Sequence, residues 1–229
     1  PSSCSMSLDD LGYQMVNYED HIIFAESNLE SNSIYNKGWG LYVFNPNTSE
    51  DKEKIMIQVN HPVADQSTEW IGTNVFADTE AGWLMIAGAH RWACVENEVC
   101  NYQQNCGADM AREENSVFQV FHEEITNYHQ GDINALSIHG FSNDNYNTEL
   151  CNDEVGIIIS NGADLNDDLL HPSQLSEDLI NNMNYEILNE TIEYNLPAIH
   201  VHNAVQYNAS FELLGAKLNP QGNYTNQYS

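Results

Sequence analysis

Four segments of this 229-residue chain set a histidine, a carboxylate or an arginine in or just beyond an apolar run. Residues 55–59 (IMIQV) lead into Asn60-His61-Pro62, with Asp65 and Glu69 a few positions on. Residues 83–87 (WLMIA) lead into Gly88-Ala89-His90-Arg91. The run Leu136-Ser137-Ile138 ends in His139 and Gly140, and Ser210-Phe211-Glu212-Leu213 carries a carboxylate inside an apolar stretch. Two histidines and a carboxylate are the protein ligands of a catalytic zinc, which keeps one position open. A further glutamate supplies a base for the attacking water, and an arginine steadies the oxygen on which charge develops. Simpler roles exist for some of these residues. A histidine before proline caps turns, and Glu69 suits the first turn of a helix through the helix dipole alone. Glu212 asks most plainly for a partner, because a carboxylate between Phe211 and Leu213 is costly to bury unpaired.

Strand ends are where such groups gather. Residues 20–26 and 39–44 read as strands. Residues 55–59, 83–87 and 155–160 are nearly continuous apolar runs, the mark of strands buried on both faces. Residues 135–141 read as a buried strand, and 198–202 and 209–214 as the closing ones. Helical spacing marks 68–77, with Thr68 as N-cap and apolar residues at 70, 71, 75 and 76. It also marks 115–128, capped by Asn115 or Ser116, and 174–183. Strands alternating with helices predict an α/β fold, a three-layer α/β/α sandwich around a mixed, mostly parallel sheet. No linker divides the chain, so a single domain over 1–229 is expected, with 1–18 as a polar lead-in. Open α/β sheets bind ligands at the carboxyl ends of their strands.

Six basic residues face 34 acidic ones, a formal charge of −28. Such a chain repels nucleic acid phosphates and anionic membrane surfaces, and no apolar run approaches the length of a membrane span. The acidity fits a saline environment or the steering of a cationic substrate. With only two arginines, Arg91 and Arg112, an arginine placed directly after a strand is informative. The five cysteines (Cys4, Cys94, Cys100, Cys106 and Cys151) form no Cys-x-x-Cys pair. They read as two disulfides and a spare thiol, which implies an oxidising compartment. The start Pro-Ser-Ser-Cys suits a mature secreted, periplasmic or cell-surface product.

The order of these motifs resembles the zinc carboxypeptidase-like (funnelin) superfamily, which includes related deacylases, amidohydrolases and poly-γ-glutamate hydrolases. Leu136-Ser-Ile-His-Gly-Phe141 resembles the segment supplying that family's second histidine ligand. Ser210-Phe-Glu-Leu213 resembles its catalytic-glutamate strand, and His61 with Glu69-Trp70-Ile71 its first ligand motif. The run from His61-Pro62 through Ala89-His90-Arg91 to His139-Gly140 is similar to uncharacterised bacterial secreted members. The resemblance implies zinc held by His61, Glu69 and His139, with Glu212 as general base and Arg91 as clamp on the transition state or substrate carbonyl. His90 and Arg112 are the further substrate-binding candidates. Seven residues separate His61 from Glu69, more than the family motif has, and Asp65 lies between them as the alternative ligand. No adjacent Asn-Arg pair is present to grip a peptide's terminal carboxylate. The expected substrate is therefore a peptide or an N-acyl or amide small molecule. Two further readings remain: a polysaccharide esterase or deacetylase with the same metal chemistry, and a non-enzymatic acidic binding or adhesion module.

Overall fold

The computed structural model describes residues 8–27, 38–93, 108–140, 155–159, 181–183 and 200–203. The chain divides into two compact units, residues 1–140 with 228–229, and residues 141–227.

The first unit is built on a six-stranded sheet in the order β1-β2-β3-β5-β4-β6. Two of its inner strands are the pair the apolar runs point to, β4 (Ile55–Val59) and β5 (Trp83–Ile86), which lie parallel. On the far side of β4, β6 (Asn134–Ser137) is parallel as well. On the far side of β5, β3 (Leu41–Phe44), β2 (His21–Glu26) and β1 (Tyr13–Tyr18) follow, each antiparallel to its neighbour. The sheet is mixed, as expected, but three of its five pairings are antiparallel, so a mostly parallel sheet is not what the described strands form. Strand direction depends on how the connections run, which apolar runs do not record. The polar lead-in also contains structure. Its residues Tyr13-Gln-Met-Val-Asn-Tyr18 form an edge strand, where polar side chains face solvent while Tyr13 reaches the core.

Two helices cover the sheet on opposite faces. α3 (Thr68–Thr79) follows β4, and α4 (Val117–Tyr128) follows β5. α1 (Leu8–Leu11) and α2 (Glu50–Glu53) are single turns. Alternation along β4 and β5 separates two cores. Met56 and Met85 pack with Tyr42, Phe118 and Ile125 on the α4 side. Ile57 and Leu84 pack with Val43 and Phe76 on the α3 side. α3 is rotated from its expected setting. Its buried stripe is Thr68, Gly72 and Phe76, while Trp70 and Ile71 are exposed. Gly72 permits this, because a Cβ there would lie 2.4 Å from Val59 Cγ2. Ser67, not Thr68, is the N-cap, and it makes no side-chain cap bond. α4 is capped as its sequence suggests, with Ser116 Oγ accepting from Gln119 N–H at 3.0 Å. β6 departs from its expected burial, since it is an edge strand and Leu136 is 43% exposed.

In the second unit, β7 (Val155–Ile159) pairs in parallel with β8 (His200–Asn203), and residues 181–183 are helical. Glu212 and all five cysteines lie outside the described residues, as does the expected strand at 209–214.

Candidate metal centre

Three adjacent parallel strands, β5, β4 and β6, end at the same edge of the sheet. The chain leaves β4 toward α3 on one face and leaves β5 toward α4 on the other. The crevice between them is a topological switch point, the place where open α/β sheets bind ligands. His61 lies just past the end of β4, Arg91 past β5 and His139 past β6. Asn60 latches two of these ends together: it is fully buried, and Ser137 Oγ donates to its Oδ1 at 2.8 Å.

The loop after His61 turns back before α3 begins. Asp65 N–H donates to His61 O at 3.0 Å, and Thr68 Oγ1 donates to Asp65 O at 2.8 Å. Val63 and Ser67 both have positive φ, 68° and 65°, conformations a non-glycine residue holds only where its surroundings enforce them. This path brings the Asp65 carboxylate beneath both histidines. Asp65 Oδ2 lies 3.2 Å from His61 Nδ1 and 3.3 Å from His139 Nδ1, and the two Nδ1 atoms lie 3.2 Å apart. Gly140 N–H also donates to Asp65 Oδ2, at 3.1 Å. A side chain at 140 would crowd this contact, since its Cβ would lie 3.1 Å from that of Asp65.

These three atoms fit a small divalent ion. Donors bonded at ~2.0–2.1 Å around a tetrahedral ion sit about 3.3 Å from one another, and the observed separations are 3.2–3.3 Å. The tautomer fits too. His61 Nε2 lies 2.7 Å from Asp109 Oδ1. An ionised carboxylate only accepts, so Nε2 carries a proton, and in the neutral ring the Nδ1 lone pair then faces the common point. A carboxylate behind a ligating histidine is the usual way such a ring is oriented and made more basic. Asp109 in turn is paired with Arg91, whose Nη2 lies 3.1 Å from Asp109 Oδ2. Arg91 Nη1 lies 3.4 Å from His61 Nδ1 and 3.9 Å from Asp65 Oδ1.

The electrostatics follow from this packing. Burial alone would push His61 down, but hydrogen bonds to Asp109 and Asp65 outweigh it and hold the ring above its ordinary value. Burial would raise Asp65, yet bonds to His139 and His61 and the Gly140 N–H hold it well below the usual carboxylate range. Asp109 is held down in the same way, against burial, by His61, Arg91 and Arg112.

The candidates from sequence separate clearly. His61, His139 and Asp65 come together as a group that could hold a metal ion among the described residues. Glu69, the ligand favoured from the helix start and Trp70-Ile71, is not in that group. Its Oε2 accepts from Val63 N–H at 3.4 Å, because the turn at 62–67 carries the chain back before the helix and leaves Glu69 half-buried in the first helical turn. Arg91 touches the group. Arg112 lies near enough to depress Asp109, and its own N–H donates to Asp109 O at 2.9 Å. His90 instead accepts from Trp92 N–H at 3.2 Å and packs on the Trp92 ring. Asp109 is the residue the sequence reading missed. Its only local signal is an acidic residue inside Gly107-Ala-Asp-Met-Ala111, a short apolar stretch just before a helix cap.

Compared with family models, with curated proteins and with solved structures, the chain matches none.

Proposed function

We propose that this chain is a metal-dependent hydrolase acting on an amide or peptide bond, with zinc held by His61 Nδ1, His139 Nδ1 and Asp65 Oδ2. The observation that carries the reading is the single geometry of those atoms, 3.2–3.3 Å apart, with the opposite nitrogen of His61 committed to Asp109. A zinc ion bound there would acidify water and polarise a carbonyl. The chain's own residues supply the rest. Asp109 keeps His61 in the tautomer that offers Nδ1. Gly140 N–H keeps Asp65 Oδ2 turned toward the histidines. Arg112 is the substrate-side cation; Glu212, the general base that the resemblance implies, lies outside the described residues. The substrate is a peptide or an N-acyl amide, and the proposed compartment is secreted, periplasmic or cell-surface. Among the described residues no helix is long and apolar enough to cross a membrane.

Elemental analysis of protein purified without chelator tests this. The expected result is one zinc ion per chain, lost in His139→Ala. Protein without metal, or with iron at the same two histidines and carboxylate, would overturn the zinc hydrolase reading. If zinc is present, assays on acylated or acetylated polysaccharide against N-acyl amino acids separate an esterase or deacetylase from an amidohydrolase.

A further inference from the structure

The resemblance gives Arg91 to the substrate, as a clamp on its oxygen. The contacts of its guanidinium give it to the metal shell. Each of the two buried carboxylates has one oxygen turned toward the metal-binding group and the other toward Arg91. Asp65 directs Oδ2 at both histidine Nδ1 atoms, while its Oδ1 lies 3.9 Å from Arg91 Nη1. Asp109 directs Oδ1 at His61 Nε2, while its Oδ2 lies 3.1 Å from Arg91 Nη2. Asp65 is a ligand in the reading above, and Asp109 stands behind a ligand. The two terminal nitrogens of one planar group therefore join the outer oxygens of both. Among the described residues Arg91 Nε is buried without a partner, so these terminal contacts set the orientation of the fork. The Arg91 side chain is only 25% exposed, and those of Asp65 and Asp109 are 10% and 8% exposed, so the bracket is largely shielded from solvent.

We infer that Arg91 is a positioning residue that brackets Asp65 and Asp109 and so fixes the ligand geometry. The inference rests on the proposed metal centre and assigns its outer shell. Arginine suits the task because its guanidinium is a rigid planar fork that can serve two carboxylates at once, whereas a lysine ammonium is a point charge on a flexible stem. Outer partners of metal ligands typically change metal affinity by about 10–100-fold when removed.

The test uses the full chain as wild type, Arg91→Met, Arg91→Lys and a Lys54→Met control. Lys54 pairs with Asp132 at the surface, away from the three ligands. Zinc affinity is measured by competition with a chromophoric chelator, and the visible spectrum of the cobalt-loaded protein reports ligand geometry. Metal-free melting curves confirm that each variant folds. The expected result is a zinc affinity weaker by about 10–100-fold in Arg91→Met, an intermediate loss in Arg91→Lys, and a changed cobalt spectrum in both. Lys54→Met should match wild type. Folded Arg91 variants with wild-type zinc affinity and cobalt spectrum would overturn the bracket while leaving the metal centre standing. If Arg91→Met does not fold, Arg91→Lys alone decides, by the same two readouts. Wild-type protein that binds neither ion would remove the metal centre, and the bracket with it.

Discussion

β4 and the turn beyond it carry two polar clusters whose first members, Gln58 and His61, are three residues apart, and the two clusters differ in kind. On its α4 face, Gln58 Nε2 lies 2.7 Å from His122 Nδ1 and 3.5 and 3.8 Å from the Met85 and Met56 sulfurs. All four side chains are essentially inaccessible. Histidine and thioethers are competent metal ligands, yet here one amide nitrogen fills the space between them and donates to them. Just past the end of the same strand, one atom each of His61, His139 and Asp65 lies 3.2–3.3 Å from the others, and the His139 side chain is one-third exposed. The first cluster is closed by an amide donor at its centre, whereas the second opens to solvent at His139. Residue type alone does not separate the two cases.

The largest expected difference comes from removing one histidine from each cluster. His139→Ala should cost metal affinity on the order of 10²–10³-fold, if the ~10–16 kcal/mol of a four-ligand zinc site is shared among its ligands. It should leave the metal-free melting temperature nearly unchanged, since its side chain is one-third exposed. His122→Ala should do the reverse, destabilising the fold by ~3 kcal/mol through a cavity and an unpaired Gln58 amide while zinc affinity stays at the wild-type value. Calorimetric titration and denaturant melts of the two variants give both readings, and a loss of zinc in His122→Ala would erase the distinction.

A smaller effect is expected from the group behind each cluster. Asp109→Asn keeps an acceptor for His61 Nε2 but removes the charge, and zinc affinity should fall by about 10–100-fold. Gln58→Met fills the same space without a donor. It should cost ~1–3 kcal/mol of stability by leaving His122 Nδ1 unmet, with zinc binding intact.

The smallest effect is a pH dependence confined to the metal-free protein. Asp109 is held below its ordinary value, so its contribution to stability is present above about pH 4 and is lost as pH falls through its folded value. His61 is held above its ordinary value, so its contribution is present below about pH 6.5 and is lost as pH rises through its folded value. The melting difference between wild type and Asp109→Asn should therefore be greatest between about pH 4 and 6.5 and shrink on either side. A difference that is flat across pH 3–9 would contradict the pairing of Asp109 with His61.

The legible parts of this molecule were local ones. IMIQV and WLMIA announce the inner parallel pair, β4 and β5. Asn115-Ser116 before VFQVF announces α4 and its cap. His139 at the tip of an apolar run is visible because the strand ends there. Properties set by distant contacts were not legible. Of the three antiparallel pairings, the one between β3 and β5 joins strands that α2, β4 and α3 separate along the chain. The rotation of α3 follows from the close approach that Gly72 allows. That Asp65, and not Glu69, lies beside the two histidines turns on two positive-φ residues, Val63 and Ser67, and neither is a glycine that would mark a turn in the sequence. Asp109 lies 48 residues from the histidine it orients, and no spacing rule connects them.

The central claim is that His61, His139 and Asp65 hold one metal ion. An anomalous-scattering map collected at the zinc edge from crystals of zinc-loaded protein tests it most directly. The expected result is one strong peak within ~2.0–2.2 Å of His61 Nδ1, His139 Nδ1 and Asp65 Oδ2, with Glu69 away from it. No peak there, or a peak coordinated by Glu69 in place of Asp65, would contradict the claim.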